Sequence, residues 1–288
     1  MTMLKPPYED VQAHYDLSND FFALFLGPSM MYTCAYFERD DMSLEEAQDA
    51  KIDLALDKID LQPGQKLLDV GCGWGSLVLR AVETRSVKGV GITLSREQYE
   101  YASMQAEQRG LAEDAEFRLQ GWEEFDEPVD RISVICAMEH FKEERYAAFF
   151  EKCYRLLPPR APMIIQAIVF PEMEVLREKG LEPTHESVLF AKFIAKKIFP
   201  GGQLRSPSVI CRYAQAGGFE VTRVQSLQVH YARTLTCWAD RLEAAREQAI
   251  ALTSENTYDM YIHFLRGCAA YYRSGHMDVV QISLRKVA

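Results

Sequence analysis

The sequence predicts an α/β fold built on a mostly parallel, seven-stranded sheet buried on both faces. Three observations carry that prediction. Short, almost wholly apolar runs alternate with helical patterns from residue 66 onward, as parallel strands with crossover helices require. A glycine-rich turn follows the first of those strands directly and leads into a helix. A chain of 288 residues, 48% of them apolar, suffices for one large core. The reading is of a single domain over 1–288.

Taken in order, Ser18, Asn19 and Asp20 ahead of FFALFL predict a capped amphipathic helix that stops at Gly27 and Pro28. Ser43 and Glu46 form a capping box for a helix to about Ile59, and Pro63 and Gly64 then turn the chain. KLLDV (66–70) is the first strand, GCGWG (71–75) the turn and SLVLRAVE a helix. VKGVGI (87–92) is the second strand, and Ser95 with Gln98 is placed to box the next helix, which runs to Gly110. EFRL (116–119), DRISVICA (130–137) and MIIQAIV (163–169) are further strands. A helix at about 143–157 ends at Pro158 and Pro159. FEVTRVQSL (219–227) and VVQISLRK (279–286) complete the seven. Two stretches interrupt the alternation: 170–212 mixes helix with FPGG (199–202), and 232–275 reads as two helices back to back. Both are expected at one end of the sheet, where α/β folds take their ligands.

The chain carries 32 basic and 42 acidic residues, a net −10 that argues against a general nucleic-acid or anionic-membrane surface. The charge is uneven. Residues 1–60 hold 4 basic against 13 acidic residues, whereas the other 228 hold 28 against 29. Residues 187–219 contain no acid, yet carry Lys192, Lys196, Lys197, Arg205 and Arg212. Cysteines at 34, 72, 136, 153, 211, 237 and 268 form no CxxC pair, and several sit in apolar runs. That pattern predicts reduced thiols in a cytoplasmic protein and no metal site. MTMLKPPYED lacks the pattern of a signal peptide, and no run of about 18 apolar residues could span a bilayer.

LLDVGCGWG (67–75) is the most informative segment. Gly71, Gly73 and Gly75 let a ligand approach backbone N–H groups closely. Their G-x-G-x-G spacing departs from the dinucleotide fingerprint, and no Gly-Lys-Ser/Thr follows for a phosphate. Asp69, immediately ahead, suits a cationic ligand. A tight turn is the plainer alternative; a strand, an Asp, three glycines and a helix in succession disfavour it.

These residues resemble the S-adenosylmethionine loop of Rossmann-like methyltransferases, and the resemblance continues along the chain. YTCAYFERDD (32–41), VGITLS (90–95), QGWEEF (120–125), AMEHF (137–141), FPGGQL (199–204), HYARTL (230–235) and GCAAYYRSG (267–275) fall in one order and spacing. That order resembles the mycolic acid cyclopropane synthases, relatives of the cyclopropane fatty-acyl-phospholipid synthases. The resemblance implies S-adenosylmethionine-dependent methyl transfer to a double bond of a long acyl chain, giving a cyclopropane or a methyl branch. It implies that the N-terminal helices of 1–60 cover the cofactor, with Tyr32 and Thr33 in contact. Asp69 and the three glycines would meet the methionine portion, Thr93, Leu94 and Gln98 the ribose, and Trp122 and Glu123 the adenine. The insertion 170–212 would line the acyl channel with Phe190, Phe193, Ile194, Ile198 and Phe199.

An alkene that accepts a methyl group becomes a carbocation, which calls for apolar walls, aromatic faces and one positioned base. Tyr32 and Tyr231 are the first aromatic candidates. In the resembled family the base is a bound bicarbonate, held by a Cys backbone amide, a Glu, a strand His and a Tyr. Cys34, Glu139 and Tyr231 match three of these, but Gln166 stands where the family has His. A glutamine donates a hydrogen bond yet cannot titrate. Cys136, Ala137 and Met138 also depart from the smaller residues common there, whereas His140 reads as structural. With a weaker base, the cation can capture water or lose a proton elsewhere, so methyl transfer is better supported than ring closure. Cys268 is a further catalytic candidate by resemblance, with packing as the plainer reading. The basic residues of 187–219 would meet an acidic acyl carrier protein or a lipid head group at a peripheral membrane contact; a solvated face is the alternative. The rival functions are N- or O-methylation of a small lipophilic metabolite, and lipid binding without catalysis.

Overall fold

The computed structural model describes residues 17–288, so the reading of MTMLKPPYED and the start of the 1–60 segment lie outside the described residues. Ser18 caps α1 (Asn19–Leu26) by accepting from Phe21 N, and Phe21, Phe22, Phe25 and Leu26 are buried. Ser43 and Glu46 close the predicted box on α2 (Leu44–Lys58), whose buried stripe includes Ala47, Ile52, Ala55 and Leu56.

The alternation then runs β1 (Lys66–Val70), α3 (Ser76–Arg85), β2 (Lys88–Thr93), α4 (Arg96–Gln108), β3 (Ala115–Leu119), β4 (Arg131–Ile135), α5 (Tyr146–Leu156) and β5 (Pro162–Val169). After it come α6 (Met173–Glu178), α7 (His185–Lys197), α8 (Pro207–Ala216), β6 (Phe219–Ser226), α9 (Gln228–Ala244), α10 (Arg246–Leu252), α11 (Glu255–Ser274) and β7 (Asp278–Lys286). The strands lie in the order β3-β2-β1-β4-β5-β7-β6. The first five are parallel, and β7 runs antiparallel between β5 and β6. The order reverses between β1 and β4, which opens a crevice at their carboxyl ends.

One sheet face packs Leu67 and Ile164 against Ile52, Leu56 and Val78 from α2 and α3. The other packs Val134 and Ile165 against Phe149, Phe150 and Ile210 from α5 and α8. A third cluster joins α1, α9 and α11 through Phe25, Trp238 and Phe264. Among the described residues no helix is long and apolar enough to cross a membrane.

Several boundaries differ from the sequence reading for local reasons. β4 ends at Ile135 because Cys136 takes a left-handed φ of 53°, which turns the chain out of the sheet. The helix expected at 143–157 begins as a tight 3-10 turn, and its α-helical part starts at Tyr146. The stretch 232–275 holds three helices instead of two, because Thr253 and Ser254 break the chain after the short α10. Only half of the box at Ser95 forms. Ser95 Oγ accepts from Gln98 N at 3.3 Å, but the Gln98 side chain accepts from Thr93 Oγ1 at 2.8 Å. Thr93 Oγ1 takes the Ser95 N–H instead, at 3.2 Å.

Candidate active site

A cavity open to solvent occupies the crevice beyond β1 and β4. Its floor is the turn after β1, where the three predicted glycines do three different things. Gly71 presses against Ala137, where an added Cβ would fall 2.4 Å from that side chain. Gly73 has φ 56° and open space around its missing Cβ, so ligand atoms can reach the backbone there. Gly75 is not among the residues that line the cavity. Its φ is 87° and a Cβ would meet Phe117 and Ala102 at 2.6–2.8 Å, so it lets α3 sit close to the sheet.

The other predicted cofactor residues converge on this cavity: Tyr32, Thr33, Asp69, Thr93, Leu94, Gln98, Trp122 and Glu123 all line it. Asp69 and Ser133 are register partners on β1 and β4, and Ser133 Oγ donates to Asp69 Oδ1 at 2.7 Å. Asp69 is 2% exposed, and burial pushes its carboxyl up to about 6. Glu123 Oε1 ion-pairs with Arg145 at 2.9 Å, while Oε2 is buried without a hydrogen bond. Thr33 Oγ1 is likewise buried without a hydrogen-bond partner. Buried acceptors in this state are costly, and a ligand amine or hydroxyl would satisfy them. Trp122 lies edge-on to Phe149 at 5.3 Å.

The predicted catalytic residues line a different place. Glu139, Gln166, Cys34, Tyr231 and Cys268 are absent from the cavity wall and gather behind it, around Cys136. Cys136 itself faces the cavity, and Gln166 Nε2 donates to its Sγ at 3.4 Å. Gln166 is fully buried on β5 and spends Oε1 on Gln281 Nε2 at 3.0 Å, whose own Oε1 accepts from Lys58 Nζ at 2.5 Å. The amide is therefore held in a row with other polar groups rather than aimed at a ligand. Glu139 Oε1 accepts from Ile168 N at 2.6 Å, and Oε2 is buried without a partner. Burial pushes its carboxyl up to about 7. Tyr231 packs on Tyr272 at 4.7 Å, and burial raises its phenol. Cys268 is 4% exposed and its thiol is pushed up by burial, as a packing residue would be.

The Cys34 segment is clamped by the HYARTL motif. Thr234 Oγ1 accepts from Ala35 N at 3.0 Å, His230 Nδ1 accepts from Phe37 N at 3.2 Å, and Arg233 lies over the Phe37 ring. Tyr32, just ahead, joins an aromatic cluster with Phe22 at 5.4 Å, Trp238 at 5.5 Å and Phe199 at 6.4 Å. Phe199 comes from the predicted channel segment and also meets Phe264 at 5.8 Å. The segment's other apolar residues face α11: Phe190 stacks on Tyr271 at 5.0 Å and Phe193 meets His263 at 4.8 Å. Its two arginines pair with Glu143, the half-buried Arg205 at 2.6 Å and the largely exposed Arg212 at 3.9 Å. Lys192, Lys196 and Lys197 stay exposed on α7.

Sequence reasoning missed one cavity-lining group and one fully buried one. His140 lines the cavity and burial pushes its imidazole down to about 4, so it is neutral there. Lys51 is fully buried although it sits on a helix rich in charge. Its position seven residues before Lys58, on the stripe with Gln48 and Ile52, is the signal that could have found it.

The chain matches the family model described as mycolic acid cyclopropane synthetase over residues 2–282. It is 53% identical to cyclopropane mycolic acid synthase 3 of Mycobacterium tuberculosis (strain CDC 1551 / Oshkosh), over 98% of this chain and 99% of that one. It is 51% identical to the S-adenosylmethionine-dependent methyltransferase UmaA of M. tuberculosis (strain ATCC 25618 / H37Rv), covering 99% of this chain and 100% of that one. The crystal structure of the mycolic acid cyclopropane synthase CmaA1 complexed with SAH and CTAB superposes with a TM-score of 0.94 at 52% identity, covering 98% and 99% of the two chains.

Proposed function

The chain belongs to the mycolic acid cyclopropane synthetase family, and we propose that it carries a methyl group from S-adenosylmethionine to a double bond of a long, mycolic-type acyl chain. One observation carries the reading: Tyr32 lines the cofactor cavity and also belongs to the aromatic cluster that reaches Phe199. A methyl donor and an apolar chain would thus meet across a single side chain.

When bound, S-adenosylmethionine supplies a sulfonium methyl that the electron pair of an alkene can accept, leaving positive charge on the acyl carbon. The residues present fit that cofactor. Glu123 and Thr33 offer buried acceptors, Gly73 leaves backbone room, and Asp69 supplies the negative charge. The faces of Tyr32, Phe199 and Tyr231 surround the reacting end with polarisable, water-poor walls that tolerate a cation. Glu139 is the base in this reading. Its Oε2 is unpartnered, and a carboxyl near 7 is poised to take a proton at neutral pH.

A bound bicarbonate fits this chain less well. Gln166 gives Oε1 to Gln281 and turns Nε2 to the Cys136 thiol, so neither end of the amide is left for an anion. The proton is therefore assigned to Glu139 directly. The exposed lysines of α7 would receive an acidic acyl carrier protein, with an anionic lipid head group as the alternative outcome. The test is to incubate the purified protein with labelled cofactor and candidate lipids, then read the products by mass spectrometry. Label in an acyl chain supports the reading; label only in an amine or ether refutes it.

A further inference from the structure

Gln48, Lys51 and Lys58 lie on the buried stripe of α2 that packs against the sheet. Gln48 Nε2 donates to the carbonyls of Met31 and Thr33 at 3.3 and 2.9 Å, which fixes the segment carrying Tyr32. Lys58 is answered by Gln281. Lys51 lies between them, 0% exposed, and its Nζ has no hydrogen bond and no ion pair among the described residues. A buried ammonium is costly unless an anion answers it.

Asp69 follows Leu67 by two residues on β1, so its side chain leaves the sheet on the face where Ile52 and Leu56 of α2 pack and Lys51 is buried. The other groups near Lys51 are the thiols of Cys34 and Cys136, which burial keeps protonated. Asp69 is thus its one anionic counterpart. From the side of Asp69, the surroundings are the Ser133 hydroxyl, the Cys72 thiol and Lys51. We propose that Lys51 is a positioning residue that keeps Asp69 ionised at neutral pH, so that the carboxylate can hold the cationic end of the cofactor. The proposal rests on the cofactor reading of the cavity.

Burial alone drives Asp69 toward its neutral form, and only the Ser133 hydrogen bond and the Lys51 charge oppose it. Burial also pulls Lys51 down, to about 8, while Asp69 stands at about 6. Both charges coexist between those values, which is where cofactor affinity should peak.

The experiment is calorimetric titration of S-adenosylmethionine, without acceptor, from pH 5.5 to 8.5 into the wild type, Lys51→Met, Lys51→Arg and Asp69→Asn. In Lys51→Met the acid limb of affinity should move up by about one pH unit, so binding weakens about five-fold at pH 6 and hardly at all at pH 8. Lys51→Arg should keep the wild-type profile, and Asp69→Asn should flatten the acid limb with or without Lys51. Lys51→Gln serves if the Met variant does not fold. A Met or Gln variant with the wild-type profile, or one weakened equally at every pH, overturns the inference but leaves the cofactor reading intact. A wild type that binds no S-adenosylmethionine overturns both.

Discussion

Replacing Glu139 by Gln should abolish most of the activity while making the protein more stable above neutral pH. The Gln side chain keeps an acceptor for Ile168 N but loses the ability to take a proton. Loss of a positioned base typically costs roughly 10²–10⁴-fold in rate. The stability change follows from the shift of the carboxyl from its ordinary 4.5 to about 7. Because the folded value is raised, the ionised form is the one the fold disfavours. The penalty is absent below pH 4.5 and complete above pH 7. A shift of about 2.5 units corresponds to about 3 kcal/mol, which the neutral Gln would remove. At pH 5 less than about 1 kcal/mol has accumulated. Thermal unfolding should therefore show a gain of roughly 5–10 °C at pH 8 and about 2 °C or less at pH 5. Wild-type turnover should rise about ten-fold per pH unit below 7 and level off above it. An active Gln variant, or a Tm change equal at the two pH values, would refute the assignment of a buried, working carboxylate.

Gln166→His restores a titratable group beside Cys136 and should raise any cyclopropane fraction in lipids made in a heterologous host; an unchanged product profile by mass spectrometry would show that Gln166 does not set the outcome. Gly75→Ala drives a Cβ into Phe117 and Ala102 and should lower stability by about 2 kcal/mol or more, read by denaturant unfolding. Gly73→Ala meets open space and should cost only about 1 kcal/mol of stability, but it should weaken cofactor binding by occupying the ligand's approach. Replacing Lys192, Lys196 and Lys197 by Gln should weaken carrier or head-group binding in a pull-down or vesicle assay, with cofactor affinity unchanged.

What could be read from the sequence was whatever local chemistry decides. Ser43 and Glu46 close their box because both partners sit within one turn, and the apolar runs at 66–70 and 163–169 have no stable place except a covered sheet. The residues that line the cavity were legible because the β1 turn and the β4 end converge wherever such a sheet reverses its order. Long-range contacts were not. Gln98 is as well placed for Ser95 in sequence as Glu46 is for Ser43, yet Thr93 on β2 competes for it and wins. Gln166 reads as a free donor until Gln281, on the antiparallel last strand, arrives beside it as its register partner. Lys51 looks like one more surface charge until α2 docks and covers it completely.

Tyr32 gives the cofactor cavity and the aromatic cluster a shared wall, and this has a thermodynamic corollary. On the proposed function, a ligand that moves Tyr32 from one side would alter the space available on the other, and the two binding equilibria would be linked. Linkage of this kind is reciprocal: whatever factor a bound donor applies to the affinity for the acyl chain, the acyl chain applies to the donor. Order of loading and release of spent donor would then depend on one aromatic ring, and on the Phe199 contact that backs it.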